Sequence, residues 1–432
     1  MWIVDSALKK REAENRPVRV GIVGAGFMGR NTAFQIIRHT PGMRVAAVAN
    51  RTIAQAYKAY ADAGLEAKEA ASVHAIEDCV RAGRPVVCQD GRLLSQADGI
   101  DIVFECTGAI DFGAEVWQQA FDHGKNVVHM NAELEGTLGP ILARKAKQAG
   151  VILSGCEGDQ PGLEVNLHRY VSAMGLRPLV MGNCKGLQDP YRTPTTQKSF
   201  AEKWGQKPEM VTSFADGTKM MFEQAVVANA LGFRVPKRGL NGFAVDCHFD
   251  DLVKLYDVEQ LKASGGIVDY VVGARPPGGV FCLAHTDHPQ QKHMLNLYKL
   301  GPGPLYDFYV PYHICHFEAP FSIARVALFG DSVMTPVAPF VDVIAQAKRD
   351  LKAGEILDGI GHYMTYGVCE NSDIVARDRL LPIGLAEGCK LRRHVTKDSA
   401  LSYDDVDLPP NRLCDRLRAE QDRAFESRFA SR

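Results

Sequence analysis

Short β-branched and apolar runs alternate with amphipathic stretches over the first third of the chain. Val18 to Val23 is the first such run, and Val45 to Ala49, Ile102 to Phe104, Asn126 to Met130 and Val151 to Leu153 follow, with helical spacing of apolar positions between them. A short polar helix precedes the first run. Strands this short and apolar, each followed by a helix, predict an α/β domain with a parallel sheet covered on both faces and joined by right-handed crossovers. From about Gly162 to Gly330 the segments become longer and irregular, rich in Pro, Gly, His and aromatic residues, which predicts an α+β domain. Helical spacing around Val337 to Arg349 comes next. The glycine turns of Asp350-Leu351-Lys352-Ala353-Gly354-Glu355 and Leu381-Pro382-Ile383-Gly384-Leu385-Ala386-Glu387-Gly388 then mark a small β-rich module ending near Leu408. From Pro409 onward the chain is dense in Arg, Asp and Glu without an apolar stripe and reads as a solvated tail or helix. The expected divisions are 1–160, 161–335, 336–408 and 409–432.

Composition narrows the partners. A chain of 432 residues exceeds what one hydrophobic core serves, and 46% apolar with 23% charged residues predicts folding throughout. With 50 basic against 51 acidic residues there is no broad positive field, so nucleic acid and membrane surfaces are poor partners and small molecules good ones. Charge arrives at Lys9-Lys10-Arg11, too early for a signal peptide, and no stretch offers the ~18 apolar residues of a membrane span. The expected location is cytoplasmic. The 11 cysteines form no CxxC pair, as suits a reducing compartment.

The chemistry starts at Gly24-Ala25-Gly26-Phe27-Met28-Gly29, set between a strand and a helix. The first glycine allows the tight turn, the second the approach of a pyrophosphate, the third close helix–strand packing, and the helix N-terminus faces the anion. The α/β domain is therefore expected to be a Rossmann dinucleotide-binding domain. After the second strand, where NAD sites place an acid on the ribose hydroxyls, stand Asn50, Arg51 and Thr52. No carboxylate repels a 2′-phosphate there, and Arg51 can pair with one, so NADP is expected; the alternative is a merely solvated arginine. Cys106, Thr107 and Gly108 end the next strand, and Asn131 the one after, at the carboxyl edge where ligands bind.

In the second domain, Asp216, Lys219 and Glu223 are three and seven residues apart, which on one helix starting near Asp216 would stack them on a single face. Because the surrounding positions are apolar, the line is either catalytic or a structural salt-bridge row with Asp216 as N-cap. Upstream, Asn183, Lys185 and Asp189 lie in a glycine- and proline-punctuated segment. Lys185 is a candidate to stabilise developing alkoxide charge, with Asn183 and Asp189 as substrate contacts. Glu157 and Asp159 near Pro161-Gly162 are candidate ligands of a divalent ion or plain turn formers. His313, three residues before His316, is a candidate hydrogen bonder to substrate rather than a zinc ligand.

The order of these pieces, from the Rossmann half through Gly158-Asp159-Gln160-Pro161 and Asp216-Gly217-Thr218-Lys219 to Pro311-Tyr312-His313, resembles homoserine dehydrogenase-like oxidoreductases. Ala347-Lys348-Arg349-Asp350-Leu351-Lys352-Ala353-Gly354-Glu355 and Leu381-Pro382-Ile383-Gly384-Leu385-Ala386 look like the SAF module of the branch that includes 1-deoxy-D-xylulose 5-phosphate reductoisomerase-like enzymes. The resemblance implies NADPH, a small hydroxylated or phosphorylated carbonyl substrate, and a homodimer formed through the central domain. Mg or Mn is a candidate second cofactor. The lysine that homoserine dehydrogenases carry after the strand ending here at Asn131-Ala132-Glu133 is missing. A homoserine-dehydrogenase-like or polyol or sugar-acid dehydrogenase without isomerisation and an NADP-sensing protein without turnover are the alternatives.

Overall fold

The computed structural model describes residues 2–430 and divides into two compact units. The first comprises the chain to Leu134, Leu138–Asp159 and Ile314–Thr335. Its elements run α1 (Trp2–Ala13), β1 (Val18–Val23), α2 (Phe27–His39), β2 (Met43–Ala49), α3 (Ile53–Ala61), β3 (Lys68–Glu69), α4 (Val73–Arg81), β4 (Val86–Cys88), α5 (Gly91–Gln96), β5 (Ile102–Glu105), α6 (Ile110–Asp122), β6 (Asn126–His129), α7 (Ala132–Gln148) and β7 (Leu153–Gly155). The seven strands form one parallel sheet in the order β3-β4-β2-β1-β5-β6-β7. Val20, Ile22, Val45, Val48, Ile102, Phe104 and Val128 are buried in its core, as strands covered on both faces require. The expected parallel sheet is present. The two short strands β3 and β4 were not foreseen, and β7 starts at Leu153 rather than Val151.

The second unit begins with α8 (Gln160–Ala173), β8 (Arg177–Lys185), α9 (Pro194–Trp204), α10 (Pro208–Ala215), α11 (Thr218–Leu231), β9 (Phe243–Ala244), α12 (Val258–Ser264), β10 (Ile267–Val272), β11 (Val280–His285), α13 (Pro289–Leu297) and β12 (Leu305–Val310). Its sheet is mixed, in the order β12-β11-β8-β10-β9, with β8, β9 and β10 parallel and β11 antiparallel to both neighbours. This is the α+β architecture expected. The chain then leaves the unit for α14 (Cys315–Phe329), whose Ala319, Ile323, Ala324 and Val326 join the core of the first unit. Residues 314–335, expected within the 161–335 division, thus cluster with the first unit.

Val337 to Arg349 is not a helix. Pro336 and Pro339 cannot donate backbone hydrogen bonds, and Val341 to Ala347 pair as β13 (Val341–Ala347) with β14 (Thr365–Asn371) in antiparallel register. After α15 (Ser372–Arg377), the pair β15 (Lys390–Leu391) and β16 (Val406–Asp407) completes a β-rich segment that belongs to the second unit. The charged tail is also structured, as α16 (Leu413–Ala424) and α17 (Glu426–Ala430). Cys414, Leu417, Arg418 and Gln421 form its buried stripe, which reads as polar because Arg418 is one of its members; Arg418 is neutralised by buried Asp342.

Candidate functional site

The glycine loop of the first unit has the geometry its sequence predicts. Gly24 holds φ +103, and a Cβ there would sit 3.0 Å from the Cys106 carbonyl. At Gly29 a Cβ would lie 1.9 Å from the Gly24 oxygen, so this position must stay bare for α2 to pack on the turn. Gly26 differs, since a Cβ there meets nothing within 4 Å. The packing of the fold therefore does not demand a glycine there. Gly26 and Phe27 are exposed and Met28 half-buried at the start of α2, whose N-cap receives no side-chain hydrogen bond. A helix start of this kind offers free N–H groups and a positive dipole end to a pyrophosphate.

Asn50 braces that loop. Its Oδ1 accepts from the Ala25 N–H at 2.9 Å, and its Nδ2 donates to the Thr52 carbonyl at 2.9 Å. Arg51 and Thr52 beside it are exposed. Cys106 donates through Sγ to the Gly24 carbonyl at 3.2 Å, which ties the end of β5 to the glycine turn. Thr107 and Gly108 are half-buried next to it.

Asn131 is fully buried and does not face outward. Its Oδ1 caps α7 at the Leu134 N–H, and its Nδ2 donates to Glu105 Oε2 at 2.9 Å and the Ala109 carbonyl at 3.1 Å. Glu105, also fully buried, further accepts from the Thr107 N–H at 2.7 Å, the Thr107 hydroxyl at 2.5 Å and Trp117 Nε1 at 3.1 Å. Burial pushes the Glu105 carboxyl up from its ordinary range, and these donors pull it back. The network fixes the strand ends that frame the loop.

In the second unit the structure gathers Asn183, Lys185 and Glu223 but not Asp216. Lys185 Nζ donates to Glu223 Oε2 at 2.9 Å and to Gln160 Oε1. Asn183 Nδ2 reaches the same two oxygens at 3.3 Å each. Gln224 Nε2 donates to Glu164 Oε1 at 2.7 Å. The Glu223 side chain is 6% exposed and that of Lys185 21%, so the lysine is the cluster's outlet to solvent. Gln160 and Glu164 were not foreseen. Their spacing places both on one face of α8, but Gly158-Asp159-Gln160-Pro161-Gly162 reads as a turn, whereas Pro161 sits in the first turn of the helix, where proline is tolerated.

Asp216 does not lie on the helix of Lys219 and Glu223. It is the C-cap of α10, and Gly217, at φ +88, separates it from α11. Its Oδ1 accepts from the Thr218 N–H and its Oδ2 pairs with Lys348 at 2.7 Å, with exposures of 0% and 2%. Burial pushes the Asp216 carboxyl up and Lys348 pulls it back. Lys348 also donates to the carbonyls of Arg192 and His362. Asp216 is therefore a tie between segments. Lys219 is half-buried in the first turn of α11, and Glu223, one turn on, accepts from Lys185 on its Oε2. Asp189 pairs with Arg192 at 3.0 Å and caps the Tyr191 N–H, as a turn residue does. His313 is half-buried between β12 and α14. Glu157 is held by Arg325 at 2.9 Å, which occupies one candidate metal ligand. Among the described residues no group of three or more His, Cys, Asp or Glu is placed to hold a metal, and no helix is long and apolar enough to cross a membrane.

Residues 18–129 match the family model for the NAD-binding Rossmann fold of the oxidoreductase family, and residues 158–319 that of the catalytic domain of oxidoreductase DRL. No curated protein matches the sequence. Among solved structures, a probable dehydrogenase from Thermotoga maritima is 13% identical with a TM-score of 0.39, over 73% of this chain and 90% of its own. Scyllo-inositol dehydrogenase from Lactobacillus casei, solved with NAD(H) and scyllo-inositol, is 16% identical with a TM-score of 0.33, over 63% and 66%. The 1-deoxy-D-xylulose 5-phosphate reductoisomerase of Zymomonas mobilis, solved with NADPH, is 16% identical with a TM-score of 0.35, over 48% and 56%. At these TM-scores the likenesses carry no functional argument. The two family matches support an oxidoreductase, with residues 18–129 similar to an NAD-binding Rossmann fold and residues 158–319 similar to the DRL catalytic domain.

Proposed function

We propose that the chain is an NADP(H)-dependent oxidoreductase acting on a small hydroxylated or phosphorylated carbonyl compound as a homodimer, with reductoisomerisation of 1-deoxy-D-xylulose 5-phosphate as the specific reaction to test first. The observation that carries the reading is the posture of Lys185. An ammonium has three N–H donors; two are spent on Gln160 and Glu223, and the side chain is the part of the cluster that reaches solvent. One donor remains for a substrate oxygen. NADPH, when bound, supplies the hydride. As hydride reaches the carbonyl carbon, its oxygen gains negative charge, and Lys185 donates to that oxygen more strongly than to the neutral carbonyl, which is how it lowers the barrier. Glu223, Gln160 and Asn183 keep the ammonium in place and charged. The preference for the phosphorylated cofactor rests on Arg51, exposed beside a loop with no carboxylate at position 50.

Incubation with NADPH and 1-deoxy-D-xylulose 5-phosphate, with and without Mg, tests the specific reaction through NADPH loss and methylerythritol phosphate formation. A panel of polyol carbonyls, hydroxy acids and aldehydes tests the broader one. Lys185→Met should lower turnover about 100-fold or more, as loss of one positioned electrostatic donor does, with NADPH affinity unchanged. Full turnover in that variant removes the reading. Arg51→Ala should weaken NADPH binding by about 1.5–3 kcal/mol and leave NADH binding as it was; equal losses for both cofactors would refute the assignment.

A further inference from the structure

Among the described residues, several acceptors of the second unit's polar cluster are left unmet. Glu164, 0% exposed, takes a hydrogen bond from Gln224 on Oε1, while Oε2 accepts none among the described residues. Asn183 Oδ1 and Gln224 Oε1 are in the same condition. Both of the bonds that Lys185 makes go elsewhere, to Gln160 and Glu223. An ionised Glu164 would also be a second buried negative charge beside Glu223. The elements packed on α8 are α11, β8, β11 and β12. From α11 Glu223 faces Glu164 and opposes its ionisation, and from β8 Lys185 favours it; β11 contributes the buried Cys282 thiol, and Asp307 of β12 bears on that thiol. A proton on Oε2 answers both, since it removes that charge and turns an unmet acceptor into a donor.

We propose that Glu164 is a neutral carboxylic acid in the folded protein, a positioning residue that keeps the Lys185–Glu223 pair balanced without touching substrate. The second half rests on reading Lys185 as the donor to substrate; the first does not. Burial, the largest influence on this carboxyl, acts in the same direction.

Infrared difference spectra of wild type against Glu164→Gln test the proton without substrate. A carboxylic C=O band at neutral pH, shifted in D2O, absent from Glu164→Gln and displaced in Glu164→Asp, is the expected result. Absence of that band overturns the proposal. Glu164→Leu, which deletes the polar group, should displace the pH–rate profile of turnover, and an unmoved profile removes the positioning role. Should Lys185→Met retain turnover, the proposed function falls while the proton on Glu164 is still decided by the spectra.

Discussion

Replacing Lys348 with methionine separates a structural from a chemical role for Asp216. The ammonium is 2% exposed and makes three bonds, to Asp216 Oδ2 at 2.7 Å and to the carbonyls of Arg192 and His362 at 2.8 Å each. Methionine fills most of the same volume, so the loss is electrostatic. It strands a carboxylate at 0% exposure with Thr218 as its remaining donor. Removing one partner of a buried ion pair costs about 3–5 kcal/mol, most of it the penalty on the charge left behind. For a unit of this size each kcal/mol lowers Tm by roughly 2–4 °C, so a fall of about 6–20 °C is expected. Asp216→Asn strands the lysine and should fall similarly. The double variant removes both charges and should recover part of the loss, with a coupling energy of about 1–3 kcal/mol. Thermal unfolding followed by near-ultraviolet circular dichroism gives all four values, and turnover measured well below each Tm should stay near wild type. If instead Asp216→Asn melts normally and loses turnover, the tie is not structural and Asp216 belongs to the chemistry.

The glycine loop makes a paired prediction. Gly29→Ala should destabilise the first unit and abolish dinucleotide binding, because its Cβ meets the Gly24 oxygen at 1.9 Å, whereas Gly26→Ala should leave Tm unchanged and weaken dinucleotide binding in a fluorescence titration. A lowered Tm in Gly26→Ala would show that the position serves the fold. The pH dependence of stability follows from Glu164. Burial raises its folded-state pKa well above the ordinary value, so the folded protein binds more protons between the two values and loses stability as pH rises through that window. Urea midpoints over roughly pH 5 to 8 should decline less steeply in Glu164→Gln; an identical decline would mean that Glu164 does not hold the proton.

The first unit was legible because each strand is a separate apolar run and each crossover a helix, so the Val18–Val23 strand and its glycine loop announce both fold and site. Where one residue type serves two purposes the reading failed. Val337 to Arg349 satisfies helical spacing and strand alternation alike, and only the prolines at 336 and 339 and the partner strand decide between them. Gly217 breaks the row from Asp216 to Glu223, and no spacing rule shows that a glycine will adopt a left-handed conformation at that point. Lys185 and Glu223 were each visible, but their meeting depends on β8 and α11 being brought together by the sheet, 38 positions apart. Gln160 and Glu164 are uncharged or unremarkable in sequence and acquire importance only through burial.

Because α14 completes the first unit from residues 314–335, this unit cannot finish folding when its own N-terminal segment leaves the ribosome. The surface of α2 on which α14 packs waits bare until more than 150 further residues have been made, the length of chain between Asp159 and Ile314. In that interval the α2 face that meets α14 lacks the cover it has in the finished unit. A fragment ending at the apparent boundary near residue 160 therefore carries an apolar face prone to aggregation, and a peptide spanning 314–335 added in trans is the piece that would restore its solubility.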